Sequence, residues 1–114
     1  MSRIRDIVVT DETTVEELAQ IALQLWGYES QVNMAVEECS ELILASRHLD
    51  RGKATLEDFM REVADVEIMM AEMKAMFNDP ARYEELKAEK IDKFREHIRR
   101  SIDKRKDAWI SLDK

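Results

Sequence analysis

Ser30-Gln31-Val32-Asn33-Met34-Ala35-Val36-Glu37-Glu38-Cys39-Ser40-Glu41-Leu42-Ile43-Leu44-Ala45-Ser46-Arg47-His48-Leu49 runs without Gly or Pro, and its apolar side chains recur at helical spacing. At about 100° per residue, Met34, Ala35, Leu42, Ala45 and Leu49 share one arc of the helical wheel. Glu38 and Glu41, about 60° apart, lie within that same arc. The stretch therefore reads as an amphipathic helix whose core-facing side carries two acids.

The flanking sequence extends the pattern. Thr13-Thr14-Val15-Glu16 has capping-box spacing and opens a helix to about Trp26, which Gly27 stops. The next helix starts near Ser30, as its cap, and ends near Leu49, before Asp50-Arg51-Gly52-Lys53 turns the chain toward an antiparallel neighbour. Thr55-Leu56-Glu57-Asp58 caps a third helix that reaches about Phe77, where Asn78-Asp79-Pro80 ends it. A fourth runs from Pro80 or Ala81 to about Lys106, its apolar positions sparse among charges. Only Ile7-Val8-Val9 has a strand-like composition. The expected fold is an all-α antiparallel bundle of about four helices, a single domain over residues 1–114 with its core about 13–106.

Length and composition agree. A chain of 114 residues is long enough for one core and too short for two domains. Its single Cys39 cannot form an internal bridge, and no Cys/His pattern points to zinc, so a reducing, cytoplasmic setting is expected. No apolar run approaches the ~18 residues of a membrane span. The formal charge of −7 opposes a general nucleic-acid or anionic-membrane binder. That charge is unevenly spread: residues 1–81 carry −10 and residues 82–106 carry +4.

The third helix repeats the acid pair. Glu62 and Asp65 are again about 60° apart, in an arc with Phe59, Val66, Met69, Met73 and Met76, whereas Arg61, Glu67, Glu72 and Lys74 are placed outside it. Two such pairs on successive antiparallel helices can converge across their seam. Converging carboxylates must protonate, meet buried Arg or Lys, or bind a hard cation. No basic residue shares their arcs, which favours an oxygen-ligated divalent ion such as Mg²⁺; salt bridges from the fourth helix are the alternative.

Glu37-Glu38-Cys39-Ser40-Glu41, twenty intervening residues, and Glu62-Val63-Ala64-Asp65 together resemble the ExxE and ExxD motifs of MazG-type all-α nucleoside triphosphate pyrophosphohydrolases. Trp26-Gly27-Tyr28-Glu29-Ser30-Gln31 before the first motif, and Asp65-Val66-Glu67-Ile68-Met69-Met70 around the second, are similar to small single-domain phage and bacterial members, over roughly residues 20–100. The resemblance implies hydrolysis of a (deoxy)nucleoside triphosphate between its α and β phosphates, with Mg²⁺, or Mn²⁺ as a substitute. Glu38, Glu41, Glu62 and Asp65 would then hold the metal and carry catalysis. Glu37, at the edge of the acid arc, would position or deprotonate the attacking water, unless it is simply a solvated helix residue.

A triphosphate also requires cationic donors, and Lys90 and Lys93 stand at i,i+3 spacing among Lys87 and Arg95, although most exposed helix lysines contribute little. Trp26 could stack a base and Gln31, on the Glu38 arc, could bond its edge; core packing is the plainer role for Trp26. Neither His48 nor His97 follows a Glu by three residues, so the ExxH motif of di-iron bundles is absent. Five of the seven methionines fall between Met60 and Met76, a pattern of adaptable helix packing.

The third helix is also apolar at Ala64, Ile68, Ala71 and Ala75, opposite its acids, which calls for a second buried surface and hence a homo-oligomer, most simply a dimer; the family resemblance implies a homodimer or homotetramer. Two other functions suit the same residues. One is a non-catalytic helical interaction or nucleotide-binding regulatory module; the other is a metallophosphohydrolase acting on a different pyrophosphate linkage.

Overall fold

The computed structural model describes residues 4–112, and its regular structure is entirely helical. A short 3-10 turn, Ile4–Asp6, precedes four helices: α1 (Val15–Trp26), α2 (Tyr28–Asp50), α3 (Leu56–Ala75) and α4 (Pro80–Leu112). Ile7-Val8-Val9 is irregular, and no strand occurs among the described residues.

Reciprocal side-chain caps set the starts of α1 and α3, for α1 a residue later than the sequence pattern places it. Thr14 rather than Thr13 caps α1: its hydroxyl accepts from the Glu17 amide while the Glu17 carboxylate accepts from the Thr14 amide. The tandem Thr-Thr and Glu-Glu pairs offer both registers, and Thr13 is already engaged, its hydroxyl accepting from the Thr10 amide at 2.9 Å. Thr55 and Asp58 form the same reciprocal box on α3.

Gly27 alone separates α1 from α2, at φ 82° and ψ 164°, a backbone region essentially closed to residues with a Cβ. Its amide donates to the Leu23 carbonyl, closing α1, and α2 starts at once with Tyr28. Ser30 thus lies inside the first turn of α2 and does not cap it. α3 stops at Ala75, two residues before Phe77. Asp79 receives the Arg82 amide ahead of α4, with Pro80 at the first helical position, where its missing amide costs nothing. α4 continues past Lys106 because no Gly or Pro follows to stop it.

The chain divides into two compact units, Met1–Phe77 and Asn78–Lys114. In the first, α1 packs on α3 and α2, and the broadest packing joins α2 to α3. Gln31 lies beside Glu72, and Glu38 and Glu41 lie beside Glu62, so α2 and α3 run antiparallel. The buried apolar residues are Ala19, Ala22 and Leu23 of α1, Ala35 of α2 and Met69 of α3. The second unit is α4, which carries four helical Arg–acid contacts, Arg82–Glu85, Arg95–Asp92, Arg99–Glu96 and Arg100–Glu96. No helix among the described residues is long and apolar enough to cross a membrane.

Candidate functional site

The antiparallel α2/α3 seam brings the α2 acid pair, Glu38 and Glu41, together with Glu62 of the α3 pair. Glu38, Glu41 and Glu62 each place a carboxylate oxygen within 4.8 Å of the others. Glu38 and Glu62 are half-buried, while Glu41 and Asp65 are exposed, so the cluster sits at the solvent edge of the seam rather than inside it. Asp65 belongs to the same electrostatic group, since its charge acts on both Glu38 and Glu62.

Burial, then the neighbouring charges of Glu41 and Asp65, push the Glu38 carboxyl above its usual value. Burial, then Glu41 and Asp65, push Glu62 in the same direction. One oxygen of each, Glu38 Oε2 and Glu62 Oε2, is shielded from solvent and has no hydrogen-bond partner. Among the described residues, none of the ion pairs reaches these four acids; Arg61, the nearest base in sequence to Glu62, is held outward by Glu57 and Asp58. Shielded, unpartnered oxygens converging without a cation are the donor set a hard divalent ion accepts. Glu38, Glu41 and Glu62 could therefore hold a metal ion.

A cavity of about 290 Å³ opens beside the cluster, lined by Glu41, Leu44, Ala45, His48, Asp58 and Glu62 among others. It extends the acid site toward the α2–α3 turn. Glu37 is exposed on α2, next to but outside the converging set. Lys90 and Lys93 are exposed on α4, in the second unit.

Gln31 is buried beside Glu72; with its amide assigned so that the nitrogen faces the carboxylate, the orientation that satisfies both groups, it donates to Glu72 Oε2 and, at 3.1 Å, to Glu72 Oε1, while its oxygen accepts from the Ser30 hydroxyl. Glu72, placed outside the acid arc by the sequence pattern, is itself buried on α3. The wheel already contained the signal, because Glu72 follows Asp65 by seven residues and stands about 20° from it. Burial pushes its carboxyl above the ordinary range.

Trp26 is exposed at the end of α1, where it lines a groove of about 320 Å³ together with Val9, Leu18, Leu25, Ile68 and Glu72. The structure thus links two expected substrate contacts through a third residue: Trp26 shares the groove with Glu72, and Glu72 is bonded to Gln31.

Comparison of the chain with family models, with curated proteins and with solved structures finds no match in any of the three.

Proposed function

We propose that the protein is a Mg²⁺-dependent nucleotide pyrophosphohydrolase of MazG-like type, cleaving a (deoxy)nucleoside triphosphate between its α and β phosphates to monophosphate and pyrophosphate. The observation that carries this reading is the convergence of Glu38, Glu41 and Glu62 within 4.8 Å, with Asp65 acting on the same charges and no base opposite them. Together with the spacing of the two acid motifs, it supports a site built for cation-bridged phosphate rather than a structural ion-pair network.

In this reading Glu38, Glu41, Glu62 and Asp65 hold the metal. The ion, when bound, neutralises phosphate oxygens and lowers the pKa of an attacking water. The acids themselves repel a bare triphosphate, which makes productive binding conditional on the cation. The cavity beside Glu41 and Glu62 supplies room for the phosphate chain. Glu37 positions or deprotonates the attacking water. The working form is a cytoplasmic homodimer or homotetramer, which covers the apolar surface that the first unit leaves open.

The test is a panel of ribo- and deoxynucleoside triphosphates with Mg²⁺, measuring pyrophosphate and monophosphate release. Orthophosphate in place of pyrophosphate would assign a different linkage, and no turnover by a folded, metal-binding protein would overturn the enzymatic reading.

A further inference from the structure

Glu72 takes part in two surfaces at once. Through Gln31 it belongs to the α2/α3 seam, and with Leu18, Leu25, Trp26 and Ile68 it lines the groove between α1 and α3. Along α3 it follows Asp65 by seven residues and Glu62 by ten, which sets it about 10 Å along the helix from Asp65, on nearly the same face, and about 15 Å from Glu62. Gln31 stands in the same relation to Glu38 on α2. The acid cluster and a recess holding a single carboxylate thus both draw on α3, about two to three turns apart.

The walls of the recess are apolar, and no Lys, Arg or His lines it. The carboxylate of Glu72 receives one amide group, that of Gln31, although its two oxygens can accept about four hydrogen bonds. Covering this groove with a second apolar surface would seal an under-satisfied carboxylate away from water, an unfavourable arrangement. A flat ring carrying an N–H donor meets both demands: its faces contact Trp26 and the aliphatic wall, and its donor reaches Glu72.

Resting on the pyrophosphohydrolase reading, we propose that the α1/α3 groove floored by Glu72 is the base-recognition pocket of the same site and takes a nucleobase bearing an exocyclic amino group. Gln31 is the positioning residue, holding the Glu72 carboxylate by its amide. Trp26 forms the stacking wall. Selection follows from hydrogen bonding at the exocyclic position: an amino group there donates to Glu72, whereas the keto counterpart sets a carbonyl oxygen against the carboxylate and leaves its adjacent ring N–H as the donor that would have to shift to reach it.

The experiment compares CTP with UTP and ATP with ITP, pairs that differ in the amino and keto groups, as kcat/KM with Mg²⁺ on the full chain. Binding of the matching nucleosides, cytidine against uridine and adenosine against inosine, is measured by calorimetry without metal. The amino member of each pair is expected to be favoured at least about tenfold in both assays. In the double variant Gln31→Leu with Glu72→Met, which removes both polar groups and leaves neither orphaned, the ratio collapses toward one. Glu72→Met alone, checked for fold by circular dichroism, gives the same collapse. Failure of all triphosphates to turn over while nucleosides still bind with this preference overturns the hydrolase and keeps the pocket. Ratios near one in the wild-type protein, or a preference that survives in the double variant, overturn the pocket and leave the hydrolase standing.

Discussion

Gln31 of α2 donates its side-chain amide to both carboxylate oxygens of Glu72 on α3, and the two are the buried polar side chains among the described residues. The bond ties together the helices that carry the acid pairs. Replacing Gln31 by Ala leaves the Glu72 carboxylate buried without its donor, a loss of about 1–3 kcal/mol. Urea denaturation of Gln31→Ala is expected to show a lowered midpoint. The companion variant Gln31→Leu with Glu72→Met is expected to recover much of the loss, because no polar group remains to be satisfied. A midpoint unchanged in Gln31→Ala would show that the bond contributes nothing to the packing of α2 on α3.

Mg²⁺ is expected to raise the melting temperature, since a ligand held only by the folded state stabilises it and here also relieves repulsion among Glu38, Glu41, Glu62 and Asp65. EDTA reverses the shift. Glu38→Gln and Asp65→Asn each lose the Mg²⁺-dependent shift in part and cut turnover at least ~10²-fold with helicity intact. A melting temperature indifferent to Mg²⁺, with no heat of binding, removes the metal site.

Three carboxyls, Glu38, Glu62 and Glu72, titrate above the ordinary 4.5 in the folded protein, all primarily because burial disfavours their charged forms. The folded state therefore holds these protons more tightly than the unfolded chain, so stability falls as pH rises from 4.5 through their folded values and stays reduced above them. Asp58 has the opposite sign. Hydrogen bonds within the Thr55 cap hold it below 3.8, so its stabilisation is complete above 3.8 and is lost as pH falls through its depressed value. Without divalent ions, stability measured by urea melts is thus expected to peak in mild acid and decline toward neutrality. Saturating Mg²⁺ flattens the decline by matching Glu38 and Glu62, and Glu72→Gln removes its own share. Stability that climbs steadily into the neutral range contradicts these assignments.

Helical periodicity and the scarcity of Gly and Pro make all four helices legible in the sequence, and the i,i+3 acid pairs make the cluster legible before any fold is known. What escapes the sequence is whatever depends on which of two equivalent groups is already engaged. Thr13 and Thr14 offer the same cap chemistry, and only the turn that binds Thr13 to Thr10 selects between them. Glu72 is a different case: its wheel position, about 20° from Asp65, already placed it on the acid arc, and its burial is completed by α1, whose residues line the same groove. Glu41 and Asp65 behave otherwise. Their wheel positions match the core arc, yet both stay exposed, since a carboxylate at a seam's edge turns toward water.

Gly27→Ala is expected to destabilise by about 1–3 kcal/mol through the backbone alone. A Cβ there meets no atom within 4 Å, so no steric contact enters the cost; the penalty comes from φ 82° and ψ 164° at the one residue between α1 and α2. Thr14→Ala, which removes the α1 cap, costs about 1 kcal/mol by comparison. If Gly27→Ala melts like the wild-type protein, α1 and α2 do not meet at that angle.

The α3 face of Ala64, Ile68, Ala71 and Ala75, expected from the sequence to meet another copy, lines a groove with Val15, Glu16 and Gln20 of α1, so the homo-oligomer is expected through the face of α2 that points away from the acids. Val32, Val36 and Ile43 fall within about 40° of one another and about 120–160° from Glu38 on the helical wheel. They are 42%, 62% and 64% exposed. These apolar residues share one face of the helix that carries Glu38 and Glu41, on a unit whose buried apolar residues, among those described, are Ala19, Ala22, Leu23, Ala35 and Met69. So small a core leaves strong incentive to cover that face with another copy. Because the acids lie on the opposite face, such packing would leave the site open while fixing the helix that presents it. Light scattering at micromolar concentration is expected to give at least twice the 13.4 kDa chain mass. Val36→Glu with Ile43→Glu sets charges into that face and is expected to yield a helical monomer with reduced thermal stability and reduced Mg²⁺ affinity, through loss of support behind Glu38 and Glu41. A wild-type protein that is monomeric and fully active on dilution contradicts the oligomer, and a double variant that stays associated moves the interface to another face.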